Sequence, residues 1–298
     1  MHIAITGGTG FVGSYLTSHL EKQGHTLYIL TRNPQSHKNT ECIKYVGWLS
    51  KDANPTATIP TLDAVINLAG KSINNRWTEQ TKKEIKESRI QATRAVLEIV
   101  KAMKPSVLIN ASAVGYYGNS LDQTFTEGDP AGSGFLAETT RLWEEEAAKA
   151  QEFGVRVVYA RFGIILDKDE GALPRIALPY QLFAGGKLGT GQQWMSWVHI
   201  NDVVRMIDFA LHQPELNGPL NVTAPNPHPM NEFGKILAEV LHRPHWLPAP
   251  SFALKTVLGE MSELVLEGQK VLPDKALRHG YKFEFETLYP ALVDLYQQ

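Results

Sequence analysis

The sequence has little of what marks a secreted, membrane-spanning or nucleic-acid-binding protein. It holds one cysteine, Cys42, among 298 residues. That excludes an intramolecular disulfide framework and any cysteine-based zinc site. No apolar run nears the roughly 20 residues needed to cross a bilayer, so no membrane partner is expected. Neither charge sign is in excess: 29 Lys+Arg against 31 Asp+Glu gives a net charge of −2. The basic surplus that nucleic-acid binding draws on is missing. The 10 histidines are scattered without ligand spacing such as HExxH, so no metal is expected. Met1-His2-Ile3-Ala4 leads straight into a strand pattern, without a basic or apolar leader. The expectation is a cytoplasmic protein acting on a small molecule.

What is present is a regular alternation. Short apolar runs at His2–Thr6, Thr26–Thr31, Cys42–Val46, Ala64–Leu68, Val107–Ala111 and Val155–Ala160 read as strands buried on both faces. Between them Phe11–Gln23, Glu79–Met103 and Phe135–Phe153 read as helices, ending at Gly24, before Pro105 and at Gly154. After Leu166 the pattern loosens. Helices are expected at Ala172–Ala184, Asn201–His212, Met230–Leu241, Phe252–Leu258 and Glu286–Tyr296, with a strand at Leu220–Val222. The fold class is therefore α/β, a Rossmann-like doubly wound parallel sheet with a smaller helix-rich C-terminal lobe. The division expected is 1–166, with returning segments from about 197–223, against 167–298.

Thr6-Gly7-Gly8-Thr9-Gly10-Phe11-Val12-Gly13 follows the first strand and opens the first helix. Gly7 suits a sharp turn, Gly10 a close approach to pyrophosphate, and Gly13 close packing of helix on sheet. Gly8, Thr9, Phe11 and Val12 complete a turn whose N–H groups face an anion at a helix N-terminus. The second strand ends in Thr31-Arg32-Asn33, with no carboxylate between Leu27 and Glu41. An acidic residue there would bond the ribose 2′-hydroxyl of NAD; a cation suits the 2′-phosphate of NADP. NADP(H) is preferred over NAD(H).

These residues, with Asn67-Leu68-Ala69-Gly70 and Trp197-Val198-His199-Ile200-Asn201-Asp202, resemble extended and atypical short-chain dehydrogenase/reductases. The likeness to the NAD-dependent epimerase/dehydratase group spans most of residues 1–220. Ser88-Arg89-Ile90-Gln91-Ala92-Thr93-Arg94, Gly115-Tyr116-Tyr117-Gly118, Trp143-Glu144 and the tail Leu266-Glu267-Gly268-Gln269-Lys270-Val271-Leu272-Pro273 are similar to a narrower branch. That branch is the SulA-type nucleoside-diphosphate-sugar epimerase family, with its C-terminal extension. The resemblance implies cofactor contacts from Gly7, Gly10, Gly13, Thr31, Arg32, Leu68, Ala69, Gly70, Glu84, Arg89, Ile164 and Ile165.

Catalytic members of the superfamily use a Ser or Thr, then a Tyr with a Lys four residues later on one helix face. Ser112 matches the first position. None of the 10 tyrosines has a lysine at +4. Tyr116 is the freer candidate for the proton-transferring group, with Arg141 or Lys71 as a nearby cation; a packed, structural tyrosine is the alternative. Glu138 is another candidate base. His199 reads as a structural histidine before a helix cap at Asn201-Asp202. Gly189–Trp197 reads as a substrate-lining loop or as one anchored by its tryptophans. Trp48, Arg76 and Trp77 border either the ligand or the core.

The function expected is hydride transfer to or from a hydroxyl or carbonyl carbon, of a substrate the branch name makes sugar-nucleotide-like. An epimerase would oxidise and re-reduce; a reductase would stop after one transfer, and NADP(H) leans toward reduction. The competing reading is a non-catalytic NADP(H) sensor acting through a protein partner. The superfamily's habit of pairing its two long helices implies a homodimer.

Overall fold

A computed structural model describes residues 1–50 and 52–297. Seven strands form one all-parallel sheet: β1 His2–Thr6, β2 Thr26–Thr31, β3 Ile43–Gly47, β4 Ala64–Asn67, β5 Val107–Ala113, β6 Arg156–Phe162 and β7 Gly218–Val222. Their order is β3-β2-β1-β4-β5-β6-β7. The chain thus runs outward from β1 in one direction and restarts from β4 in the other. Between β1 and β4 lies the switch point, where open α/β sheets bind ligands at the carboxyl ends of the strands.

Strand alternation sorts the core into two layers. In β1, Ile3 and Ile5 pack on the side of α1 (Phe11–Lys22), with Leu16 and Leu20, while Ala4 faces the opposite layer. That layer holds Val96, Ile99 and Val100 of α2 (Glu79–Met103) and Ala147 of α3 (Phe135–Ala148). Both faces are covered, which is why these strands lack polar alternation.

The helix ends follow their local chemistry. Gly24 adopts φ 81 after α1. The Thr78 hydroxyl accepts from the Thr81 N–H at the start of α2, and Lys104 turns left-handed before Pro105. The third helix is α-helical only to Ala148 and tightens to 3₁₀ over Lys149–Phe153 before Gly154.

Beyond β6 come α4 (Leu173–Gln181), α5 (Ile200–His212), α6 (Met230–Val240), α7 (Ser251–Leu258) and α8 (Leu288–Tyr296). Of these, α5 covers the α1 face of the sheet, with Val203, Met206 and Ile207 in that core. Tyr180, Trp197, Phe233, Leu237 and Leu292 form a separate core. The cap of α5 differs from expectation. His199, not Asn201 or Asp202, occupies it, its Nδ1 accepting from the Asn201 N–H at 3.1 Å. Asp202 is instead fully buried and accepts from Tyr281 Oη (2.8 Å) and the N–H groups of Glu284 and Phe285. Lys270–Val271 pairs in parallel with Thr124–Phe125, bringing the tail beside the segment after β5. Among the described residues, no helix is long and apolar enough to cross a membrane.

Candidate functional site

The glycine turn lies between β1 and α1, at the switch point. Gly7 sits at φ 68, and a Cβ there would lie 2.9 Å from the Leu68 carbonyl oxygen. A Cβ on Gly13 would fall 2.0 Å from the Gly7 oxygen. Neither position admits a side chain, because at both the nearest atoms are backbone. Gly10 caps α1 without any side-chain hydrogen bond to the first-turn N–H groups. These uncapped donors and the open backbone fit a dinucleotide pyrophosphate.

Under the turn lies a buried polar seam. Thr6 Oγ1 donates to Asn67 Oδ1 (2.6 Å), and Asn67 Nδ2 donates to Asn110 Oδ1 (2.6 Å) and Thr93 Oγ1 (3.2 Å). The N–H groups of Leu68 and Ala69 donate to Thr6 Oγ1 at 3.1 and 3.2 Å. This fixes the exit of β4 beside the glycine turn.

Several expected cofactor residues meet there. Gly7 abuts Leu68, and Gly70 lies against Arg89, whose Cζ would be 3.3 Å from a Cβ on that glycine. Arg89 Nη1 donates to the carbonyls of Lys71 and Ile85, both at 3.0 Å, and its guanidinium stacks 5.0 Å from the Trp143 ring centre. Burial, with no carboxylate partner, pulls this guanidinium down to about 10. Glu84 pairs with Lys71, whose hydrogen bond holds its carboxyl below the ordinary value. Phe11 and the Ile165 carbonyl both border Gly171; Ile164 and Ile165 form a short strand beside Trp197–His199. Gly8, Thr9 and Val12 complete the turn into α1. Thr31 ends β2, with exposed Arg32 next, on the other side of β1 from Arg89. Among the described residues, no hydrogen bond or ion pair to the Arg32 side chain competes for it.

A second constellation follows β5. Ser112, 2 % exposed, donates its hydroxyl to Glu144 Oε1 at 2.6 Å. Arg161, 3 % exposed, donates from Nε and Nη2 to the two Glu144 oxygens, each at 2.8 Å, and from Nη1 to Tyr117 Oη at 2.8 Å. The paired carboxylate and phenol outweigh burial and hold the Arg161 pKa above its ordinary value. Tyr117 Oη in turn donates to Asn221 Oδ1 at 2.7 Å. Tyr116 is half-buried in the 3₁₀ turn Val114–Tyr117, and no hydrogen bond engages its hydroxyl among the described residues.

The cation beside Tyr116 is not the one expected. Arg141 pairs with Glu145 one turn along its own helix, and Lys71 pairs with Glu84 of α2. Arg161 stands there instead, 3.5 Å from the Tyr116 ring centre. Sequence reasoning passed over Arg161 and Glu144 as functional residues. The available signal was Arg161, a cation near the end of the apolar strand β6, facing a glutamate on a buried helix face.

Glu138 reaches Lys86 from an exposed helix face. Trp48 is buried with Tyr28 and Leu30 in the core, and Trp77 packs edge-on against Phe135. The Gly189–Trp197 segment is anchored: Gln193 Nε2 donates to the Leu188 and Val265 carbonyls, Trp194 Nε1 to Leu121 and Trp197 Nε1 to Asn226.

Comparison with known proteins agrees with this architecture. The model of the NAD dependent epimerase/dehydratase family matches residues 3–223, and that of a domain of unknown function, DUF1731, matches 249–295. Epimerase family protein YfhF of Bacillus subtilis is 51% identical, with 99% of this chain and 98% of that protein covered. Epimerase family protein SAB0724c of Staphylococcus aureus is 45% identical over 98% of this chain and 97% of its own. Among solved structures, human epimerase family protein SDR39U1 with NADPH superposes at TM-score 0.88, with 31% identity, covering 100% of this chain and 99% of that one. UDP-glucuronic acid 4-epimerase from Bacillus cereus, in complex with UDP-glucuronic acid and NAD, shares the fold at TM-score 0.78 and 18% identity, covering 100% and 98%. With a dinucleotide turn at its switch point and full-length relatives of this kind, the chain belongs to the NAD dependent epimerase/dehydratase family and is an NAD(P)-binding Rossmann protein.

Proposed function

We propose that this chain is an NADP(H)-dependent oxidoreductase of the SulA-type epimerase branch, within the atypical short-chain dehydrogenase/reductases. It reduces a carbonyl carbon, or oxidises the matching alcohol, of a small polar substrate. The observation that carries the reading is Tyr116: a half-buried tyrosine with an unengaged hydroxyl, stacked on a buried cation and four residues from Ser112. Residues 1–166 with the returning 197–223 would hold the cofactor, and 167–298 would supply the substrate side.

When bound, a nicotinamide dinucleotide supplies or accepts the hydride. The protein's part is proton transfer and orientation. The Tyr116 hydroxyl gives the proton to the nascent alkoxide, or takes it in the reverse direction. Arg161, locked by Glu144, holds the ring by its face. Ser112 orients the substrate oxygen by turning its hydroxyl hydrogen from Glu144 to donate to it. The turn from Gly7 to Gly13 would hold the pyrophosphate, Leu68, Ala69 and Gly70 would meet the ribose with Arg89 beside them, and Thr31 and Arg32 would receive the 2′-phosphate. Glu84, Ile164 and Ile165 complete the contacts. The NADPH named with the human relative supports the same cofactor preference.

The test is a carbonyl panel assayed by NADPH consumption, followed by substitution. Tyr116→Phe should lower kcat by about 10²-fold or more with little change in NADPH affinity, and Ser112→Ala should lower it further. Turnover that survives in the double variant sinks this site. Tight NADPH binding with no consumption across the panel returns the reading to a non-catalytic module.

A further inference from the structure

Three side chains outside the cofactor site converge at the opposite end of the sheet. His25 precedes β2, while Asp208 and His212 stand one turn apart on α5. One ligand-competent atom from each lies within 4.8 Å of the others. His25 is 8% exposed, and its Nε2 is buried without a hydrogen-bond partner among the described residues. An orphaned buried imidazole nitrogen beside a carboxylate and a second imidazole calls for an explanation, since such atoms are normally paired.

We propose that His25, Asp208 and His212 bind a borderline divalent cation of the Zn²⁺ class. Two imidazoles and one carboxylate suit such an ion and suit Mg²⁺ poorly. His212 Nδ1 already lies 3.1 Å from Asp208 Oδ1, close to the edge of a tetrahedron with bonds of about 2.0–2.2 Å. The outer support is present as well. Asp208 Oδ2 accepts from Gln23 Nε2 at 2.7 Å and lies 3.2 Å from His19 Nε2, leaving Oδ1 to face the cluster. His25 Nδ1 lies 3.1 Å from the Met1 amino nitrogen. As a ligand, His25 would use its unpartnered Nε2. His19, Gln23, Asp208 and His212 also line a cavity of about 460 Å³, which gives the ion a position open to water or an exogenous ligand. The site joins the segment before β2 to α5 at the end of the sheet remote from the glycine turn, so its role is to staple these elements, not to take part in hydride transfer.

The experiment is calorimetric titration of the purified chain with ZnCl₂, with MgCl₂ as the comparison. Expected are one Zn²⁺ per chain, no response to Mg²⁺, and a Zn²⁺-dependent rise in melting temperature. Asp208→Asn and the exposed His212→Ala should each weaken binding by about tenfold or more and abolish the thermal shift, while His19→Ala, in the outer layer, should weaken it less. Circular dichroism without metal verifies that each variant is folded. No stoichiometric Zn²⁺ binding to wild type, or binding that His212→Ala and Asp208→Asn leave unchanged, overturns the proposal.

Discussion

The Arg161 guanidinium lies 3.5 Å from the centre of the Tyr116 ring while both Glu144 oxygens accept its hydrogen bonds at 2.8 Å. Such an ion pair, 3% and 8% exposed at its side chains, is held by geometry more than by charge. Removing one partner strands the other in a dry interior. Arg161→Met should therefore destabilise by about 3–5 kcal/mol, whereas Arg161→Met combined with Glu144→Leu should recover a large part of that loss. Urea unfolding measures both. Equal destabilisation by the single and double variants would show that the pair matters for packing alone.

The two cofactor arginines differ in a way that separates their roles. Arg32 is exposed and next to the end of β2; Arg89 is desolvated and has only carbonyl and ring partners. Arg32→Ala should weaken NADPH at least about tenfold and leave NADH within about twofold, because only NADPH carries the 2′-phosphate. Arg89→Met should weaken both dinucleotides. It should cost the ligand-free protein little, since a half-buried cation without an anion is replaced by an apolar chain. Fluorescence titration with each cofactor, and melting with and without it, checks the pair.

Much of this was legible in the amino-acid order, for physical reasons. Strands covered on both faces are largely apolar, so β1 to β6 stand out, and α2 is bounded by a threonine cap and Pro105 in sequence as in space. The glycine turn is legible because its constraint is local. The Arg161–Glu144 pair is not, because β6 and α3 are brought together only by the sheet; Arg141 and Lys71 looked equally suitable until their own neighbours Glu145 and Glu84 took them. The return of Lys270–Val271 to Thr124–Phe125 was equally hidden. A two-residue strand has no periodicity to read.

Glycine substitutions should grade by what the new Cβ meets. Gly13→Ala places it 2.0 Å from the Gly7 oxygen and 2.6 Å from the Gly8 Cα, both backbone. The turn must open, so loss of measurable dinucleotide binding and a stability loss of about 1–3 kcal/mol are expected. Gly24→Ala meets nothing within 4 Å, and only its positive φ opposes it; about 1 kcal/mol and intact binding are expected. Comparable effects of the two on dinucleotide affinity would contradict the turn's role.

Alkaline stability offers an independent reading of the core. Burial pushes the phenols of Tyr117, Tyr159, Tyr180 and Tyr296 up to about 12 from an ordinary 10.0. At Tyr117 the Arg161 cation and the Asn221 hydrogen bond oppose this without reversing it. Between those values the folded chain keeps protons that the unfolded chain has lost, so the stabilisation is complete below pH 10 and drains away as pH rises toward 12. Melting temperature should thus hold up to pH 10 and fall steeply above it, with tyrosinate absorbance lagging behind that of the unfolded protein. Tyr117→Phe should lower the melting temperature at neutral pH, through the lost bonds to Arg161 and Asn221. The same change should flatten the alkaline fall. An alkaline slope identical to wild type would show that Tyr117 ionises freely in the folded protein.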